Sequence, residues 1–198
     1  MKRLVTYTAV GLLLAEVLLI LVSWLLSATM TEGVRSLLST EGIRWFFGQF
    51  TSMQASPWLV WLLLLSVAWG SVSGSGLIAS LTRRGGTRPY RERLAIHLAA
   101  VLLLLYVGVV IMLTAVPHAV LLSATGSLFP SAFSRSLVPL VAFGVVLLSV
   151  AFGFMSGRFS SLSDVVSSLT SGISAAAPLF LIYLLAQQLV QSLAFVFF

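Results

Sequence analysis

Long apolar runs alternate with short polar stretches along this chain. A helix needs about 20 mostly apolar residues to cross roughly 30 Å of hydrocarbon, and five runs reach that length. The predicted spans are residues 4–26, 57–81, 94–116, 137–156 and 178–198. Pro57 and Pro178 begin two of them, at a first helical turn where the missing N–H of proline does no harm. The pattern predicts an all-α integral membrane protein, with residues 1–198 in a single transmembrane domain.

The segment between the first two spans is too polar to cross a membrane but keeps apolar residues at helical spacing. We expect two short amphipathic helices here, over residues 31–38 and 41–50, lying on the outer membrane interface. Thr40 stands where the N-cap of the second helix belongs. Trp45 is typical of the aromatic belt at a membrane surface.

Residues 160–177 form another non-spanning segment, which is rich in serine and threonine. Its apolar residues recur on one helical face, which predicts a short helix on the cytoplasmic side, separate from the last span. Ser161 and Asp164 have the spacing of a capping box at the start of that helix.

The amino-acid composition narrows the range of functions. Hydrophobic residues make up 59% of the chain and charged residues only 8%, against about 25% charged in soluble proteins. The net charge of +6 comes from basic residues scattered between apolar runs, which predicts no nucleic-acid partner. The chain has no cysteine, which excludes thiolate metal sites. His97 and His118 lack a partner at metal spacing and no catalytic motif is present, so we expect neither enzyme activity nor a cofactor.

Residues 82–93 hold the one dense cluster of charge, a short turn between two spans. Its arginines are Arg83, Arg84, Arg88, Arg91 and Arg93. Short arginine-rich loops stay on the cytoplasmic side of a bacterial inner membrane. Five crossings then place the N-terminus in the cytoplasm and the C-terminus outside, and the basic residues divide eight to three in favour of the cytoplasmic side.

Four acidic or amide residues lie inside predicted spans. Glu16 is near the middle of the first span, where an ionised carboxylate costs several kcal/mol unless it is paired or protonated. It is either a functional residue or a neutral packing residue whose hydrogen bond contributes about 1 kcal/mol. Gln187 and Gln188 lie at a similar depth in the last span, with Gln191 one turn further. We expect a hydrogen-bonded contact between the two helices, which is structural or lines a substrate or ion path.

Small residues recur at four-residue spacing in two spans, at Gly70 and Gly74 and at Gly153 and Gly157. Such faces let helix backbones approach closely. They predict helix packing, within the chain or in a homo-oligomer, and the alternative is a thin wall facing a substrate.

Two groups of segments resemble the AbgT family of p-aminobenzoyl-glutamate transporters. The first group, residues 33–45 and 57–78, is similar to the segment and helix that follow the family's first helix. The second group resembles the family's second half in the same order: residues 134–140, Phe152-Gly153 with Gly157, residues 163–166 and Ala186-Gln187. Family members are longer, so the resemblance implies a shortened relative that lacks the family's re-entrant hairpins and broken helices.

The resemblance also implies a function. It is secondary transport of small aromatic-amine compounds, p-aminobenzoyl-glutamate-like or sulfonamide-like, coupled to sodium or protons and carried out by a dimer or higher oligomer. The alternative function is a non-transporting membrane subunit that docks a partner membrane protein through its small-residue faces. The two functions differ in whether Glu16, Gln187 and Gln188 line a wet cavity or a dry helix contact.

Overall fold

The computed structural model describes residues 2–29, 33–82, 89–115 and 132–198. Helix makes up 89% of these described residues, and no strand occurs among them. The helices are α1 (Lys2–Ala28), α2 (Thr40–Gln54), α3 (Pro57–Ser75), α4 (Leu77–Thr82), α5 (Tyr90–Ala115), α6 (Ala132–Ser156) and α7 (Leu162–Phe197).

Five of these helices, α1, α3, α5, α6 and α7, are long and apolar enough to cross a membrane. Large apolar side chains such as Leu14, Leu104 and Phe143 are exposed on their outer surfaces. A helix that is apolar all round is stable in lipid and not as an exposed element in water. The chain is therefore a multi-pass membrane protein, and the predicted all-helical fold with five spans is confirmed.

The second predicted span, residues 57–81, is broken at Gly76 into α3 and α4. Gly76 has a φ of 68°, a left-handed conformation that glycine adopts at little cost. Its N–H donates to the Val72 carbonyl at 3.2 Å, and the next N–H, of Leu77, donates to Ser75 Oγ at 3.4 Å. The break therefore leaves these donors satisfied, and the expectation of no broken helix is wrong at this position.

Helix α7 runs unbroken for 36 residues, with Pro178 in its interior. A separate helix over residues 160–177 and a last span starting at Pro178 are therefore wrong predictions. Proline inside a helix costs about 3 kcal/mol, but ending a helix in lipid leaves several backbone groups unpaired at several kcal/mol each. Continuing the helix is the smaller cost, and α6 contains Pro139 in the same way.

The predicted capping box is present, at the start of α7. The N–H of Ser161 donates to Asp164 Oδ2 at 3.0 Å, and the N–H of Asp164 donates to Ser161 Oγ at 3.3 Å. Ser160 donates two more hydrogen bonds to the same carboxylate oxygen, each of 2.8 Å. These bonds satisfy donors that the helix itself leaves unpaired.

The first of the two predicted amphipathic helices is absent where the structure describes it. Residues 33–38 form turns and irregular chain. Their backbone donors bond to other segments, because the N–H of Arg35 donates to the Val196 carbonyl at 3.0 Å and the N–H of Leu37 donates to Ser23 Oγ at 3.3 Å. These tertiary hydrogen bonds replace the helical ones.

The second amphipathic helix is confirmed as α2, which extends four residues beyond the predicted end at Phe50. Its N-cap is Ser39, whose side chain accepts from the Gly42 N–H at 3.0 Å. The prediction of Thr40 as the N-cap is wrong by one residue, since either hydroxyl suits the position chemically.

The chain forms two compact units. The first contains Met1–Val60 and Ala176–Phe198, with a buried core of Leu19, Leu37, Phe195 and Val196. The second contains Trp61–Ala175. In the second unit α5 packs along α6, and the Tyr106 hydroxyl donates to the Leu140 carbonyl at 2.8 Å. The single-domain prediction stays a prediction.

Candidate functional site

A chain of polar side chains in the first unit connects α1 to α7. Ser192 Oγ donates to Glu16 Oε1 at 2.6 Å, and Gln188 Nε2 donates to Ser192 Oγ at 3.1 Å. Ser192 is fully buried, Gln188 is buried and Glu16 is half-buried. We call Glu16, Ser192 and Gln188 the carboxylate cluster. The predicted contact between the two helices thus exists for Gln188, through a serine that sequence reasoning did not single out.

Gln187 does not join the carboxylate cluster. Its Nε2 donates to the Met53 carbonyl at 3.0 Å, and the neighbouring Tyr183 hydroxyl donates to the Gln54 carbonyl at 3.1 Å. The last carbonyls of α2 have no partner in their own helix, so Gln187 and Tyr183 complete the end of α2. Gln191 is half-buried and also stays outside the cluster.

Two oxygens of the carboxylate cluster have no hydrogen-bond partner. Glu16 Oε2 and Gln188 Oε1 are both buried and unpaired within the described part of the chain. An unpaired buried polar group costs about 1–3 kcal/mol. A carboxylate oxygen and an amide oxygen are acceptors, so what would relieve this cost is a proton or a hard cation such as sodium.

Glu16 also lines a cavity of about 170 Å³. The other lining side chains are apolar: Ile20, Leu37, Leu38, Ile43, Phe46 and Phe47. Drug-sized ligands occupy pockets of about 300–1,000 Å³, so this cavity has room for a ring-sized group. It therefore combines one acidic residue with apolar side chains that suit a small apolar or aromatic fragment.

The wall of this cavity depends on the non-helical segment before α2. The hydrogen bonds from Arg35 and Leu37 hold that segment against α7 and α1. Trp45 of α2 stacks on Phe195 of α7 with ring centroids 4.3 Å apart, and the Arg35 guanidinium lies 5.9 Å from the same Phe195 ring. The irregular backbone is thus fixed in place, and it carries Leu37 and Leu38 to the cavity.

The first pair of predicted packing glycines lies at a close helix crossing in the second unit. A Cβ atom on Gly74 would collide with Ser168 Oγ, and one on Gly70 would lie 2.5 Å from the Ser168 carbonyl oxygen. Ser168 Oγ donates to the Gly70 carbonyl at 2.9 Å. Gly172 faces the same crossing. The two helix backbones can therefore approach this closely because glycine has no side chain.

The second pair has a local role. Gly157 has a φ of 77° and ends α6 in a left-handed turn, in which the N–H groups of Arg158 and Phe159 both donate to the Gly153 carbonyl, at 2.9 and 3.0 Å. A Cβ atom on Gly153 would collide with the Phe159 ring. Gly153 and Gly157 thus serve the end of α6, and neither lies at a close crossing of two helix backbones.

Three of the arginines predicted to set the topology, Arg83, Arg84 and Arg88, lie outside the described residues, as does His118. Arg91 and Arg93 are in the first turn of α5 and exposed. His97 Nδ1 lies 2.7 Å from the Arg93 carbonyl oxygen. Among the described residues no three His, Cys, Asp or Glu side chains cluster in a way that could hold a metal ion.

The fold is similar to that of a solved membrane transporter. The crystal structure of the Alcanivorax borkumensis YdaH transporter, described as having an unusual topology, matches 93% of this chain and 70% of that chain with a TM-score of 0.75 and 14% sequence identity. No protein-family model matches the sequence, and no curated protein matches it. Because YdaH is an AbgT-family transporter, the resemblance found in the sequence is supported at the level of the fold. The chain thus has a transporter-like membrane fold.

Proposed function

We propose that this protein is a secondary transporter of small aromatic-amine compounds, p-aminobenzoyl-glutamate-like or sulfonamide-like, and that Glu16 binds the coupling sodium ion or proton. The proposal rests on the buried, unpaired Oε2 atom of Glu16, a residue that also lines a cavity. The likeness in fold to the YdaH transporter supports the transport class. A fold alone does not define an activity, so the site must supply the chemistry.

The carboxylate cluster has the chemistry that cation coupling needs. Ser192 occupies one oxygen of Glu16, which fixes the carboxylate and leaves Oε2 for a ligand. A carboxylate among apolar side chains has little water to stabilise its charge, so binding a cation or a proton there is favourable. Gln188 Oε1 is a second free oxygen on the same polar chain.

The cavity fits the aromatic part of the proposed substrate class. Phe46 and Phe47 present rings, and Glu16 is the acidic residue of the described lining. At about 170 Å³ the cavity holds a ring and leaves the remainder of the compound outside. We therefore include in the proposal a homo-oligomer, a dimer or larger, whose copies together form the pathway. We also propose that the protein lies in a bacterial inner membrane, with the N-terminus cytoplasmic and the C-terminus external.

The test is uptake of labelled p-aminobenzoyl-glutamate by vesicles that contain the purified protein, with a sodium gradient or a proton gradient in separate samples. Glu16→Gln keeps the size and one acceptor oxygen but removes the charge, so we expect uptake to fall about tenfold or more. Glu41→Gln is the matched control, because Glu41 is an exposed carboxylate in the first turn of α2. It should transport like the parent.

Two outcomes would contradict the proposal. If Glu16→Gln assembles and transports like the parent, Glu16 is a packing residue and carries no coupling ion. If the parent protein moves neither this compound nor a sulfonamide under either gradient, the transport function is wrong, and the docking subunit becomes the better hypothesis.

A further inference from the structure

The second unit contains a larger cavity that shares no residue with the carboxylate cluster. It measures about 490 Å³ and lies between the end of α4, the start of α5 and the end of α6. This volume is within the range of small-molecule sites, about 300–1,000 Å³. Its lining includes the charged residues Arg91, Glu92 and Arg158 and the polar residues Ser80 and Ser156.

Two guanidinium groups line this cavity, those of Arg91 and Arg158. Neither has a hydrogen-bond or ion-pair partner in the part of the chain that the structure describes. Glu92 is the one carboxylate among the described lining residues, and it has an interaction of its own. The described lining therefore has two positive groups and one negative group, which favours an anion.

The Arg158 side chain lies against the break between α3 and α4. A Cβ atom on Gly76 would lie 2.8 Å from Arg158 Nε and closer still to Cζ and Nη1 of the same guanidinium. Gly76 thus permits both the left-handed break and the position of this cation. The same glycine therefore allows the helix break and the placement of one of the cavity's positive charges.

Ser80 supplies a second, independent observation. Its side chain is 4% exposed, lines the cavity, and has an Oγ atom with no hydrogen-bond partner among the described residues. Other buried serines nearby are satisfied within their helix: Ser71 Oγ donates to the Ala68 carbonyl at 2.8 Å, and Ser75 Oγ donates to the Val72 carbonyl at 3.1 Å. The Ser80 hydroxyl is therefore a buried donor at the cavity whose hydrogen bond is unmade.

We propose that this cavity binds a phosphate group, carried by an anionic lipid headgroup or by a soluble phosphorylated compound. Arg91 and Arg158 have the planar donor geometry that pairs with phosphate oxygens, and Ser80 completes the donor set with a hydroxyl. The first turn of α5 lines the cavity too, and the positive end of a helix dipole at its N-terminus favours an anion. Phosphate binding at this cavity is independent of any transport through the carboxylate cluster.

Native mass spectrometry of the purified full chain with phosphatidylglycerol and with phosphatidylcholine tests the binding. The parent should retain phosphatidylglycerol preferentially, and Arg158→Gln should bind it about tenfold more weakly. The matched control is Arg135→Gln, an exposed arginine in the first turn of α6, which should bind like the parent. If Arg158→Gln does not yield folded protein, Arg91→Gln replaces it with the same expectation.

Ser80→Ala separates binding from folding. It removes an unpaired hydroxyl, so the thermal stability of the ligand-free protein should not fall, whereas retention of the anionic lipid should. Equal retention of phosphatidylglycerol by the parent, Arg158→Gln and Ser80→Ala, together with no stabilisation of the parent by glycerol phosphate, would overturn the proposal.

Thermal shift measurements with glycerol phosphate distinguish the two sources of phosphate. Stabilisation of the parent by glycerol phosphate, absent in Arg158→Gln, indicates that a soluble phosphate group is enough. Stabilisation by phosphatidylglycerol alone indicates a lipid site. If neither compound stabilises the parent more than phosphatidylcholine does, the cavity is not a phosphate site.

Discussion

At the scale of single residues, Ser192 connects the Glu16 carboxylate to the Gln188 amide. It is the only bridge from α1 to Gln188 among the described contacts, since Gln188 Nε2 and Glu16 Oε1 both bond to its hydroxyl. Glu16 and Gln188 stand out in the sequence because acidic and amide side chains are rare in lipid. Ser192 does not stand out, because serine is common in membrane helices and usually bonds within its own helix. This is why sequence reasoning found two members of the carboxylate cluster and missed the residue between them.

Replacing Ser192 by alanine should destabilise the protein by about 1–3 kcal/mol, because it leaves the Gln188 amide and Glu16 Oε1 unpaired. Thermal unfolding in mild detergent measures the effect. Ser52→Ala is the control, since Ser52 is exposed and bonds only within α2, at 2.8 Å to the Gln49 carbonyl; its effect should stay within about 0.5 kcal/mol. Equal stabilities of the two variants would show that the carboxylate cluster adds nothing to the fold.

At the scale of helices, the sequence predicts where the chain crosses the membrane better than where each helix begins and ends. Apolar length alone identifies all five spans. The ends depend on competing local energies, as at Pro178, where lipid makes a helix end costlier than an internal proline. They also depend on tertiary hydrogen bonds, such as those of Arg35 and Leu37, which no local pattern encodes. The break at Gly76 is hidden for a further reason, since glycine in an apolar run equally suits helix packing.

The crossing at Gly70 and Gly74 is the element-scale feature most open to test. Gly74→Leu places a side chain into Ser168, so α3 and the early part of α7 must separate. We expect a loss of about 2–4 kcal/mol or failure to fold, by analogy with other overpacked or broken contacts. Yield and thermal stability in detergent report it.

Gly108→Leu is the matched control for that experiment. Gly108 lies in α5, in the same unit, and a Cβ atom there has no neighbour within 4 Å. Its leucine variant should behave like the parent. Similar behaviour of Gly74→Leu and Gly108→Leu would mean that the crossing tolerates a large side chain and that its small residues are incidental.

At the scale of the whole molecule, topology is the property that the fold likeness leaves open. The arginine-rich turn predicts a cytoplasmic position for Thr87, and α2 should then lie outside. Because the chain has no cysteine, Thr87→Cys and Ser52→Cys each introduce a single label site. Ser52 is chosen because it is exposed on α2 and does not cap the helix.

A membrane-impermeant thiol reagent applied to intact cells should label position 52 and leave position 87 unlabelled until the cells are opened. Labelling of position 87 from outside would show that the orientation is the opposite of the predicted one. The eight-to-three charge bias would then not be what orients this chain. Labelling of both positions from outside would contradict the crossing between them.

The length of α7 has a consequence for the kind of membrane the protein tolerates. At about 1.5 Å per residue its 36 residues extend about 54 Å, well beyond a hydrocarbon layer of roughly 30 Å. Its first turn carries polar side chains, those of Ser163 and Asp164, which suit lipid headgroups or water. A change in bilayer thickness therefore moves the point at which α7 leaves the lipid and exposes no apolar surface to water. The 19-residue α3 has no extra length beyond the hydrocarbon layer. In a thicker bilayer α3 would be shorter than the hydrocarbon layer, and α3 is the helix that contains Gly70 and Gly74 of the close crossing.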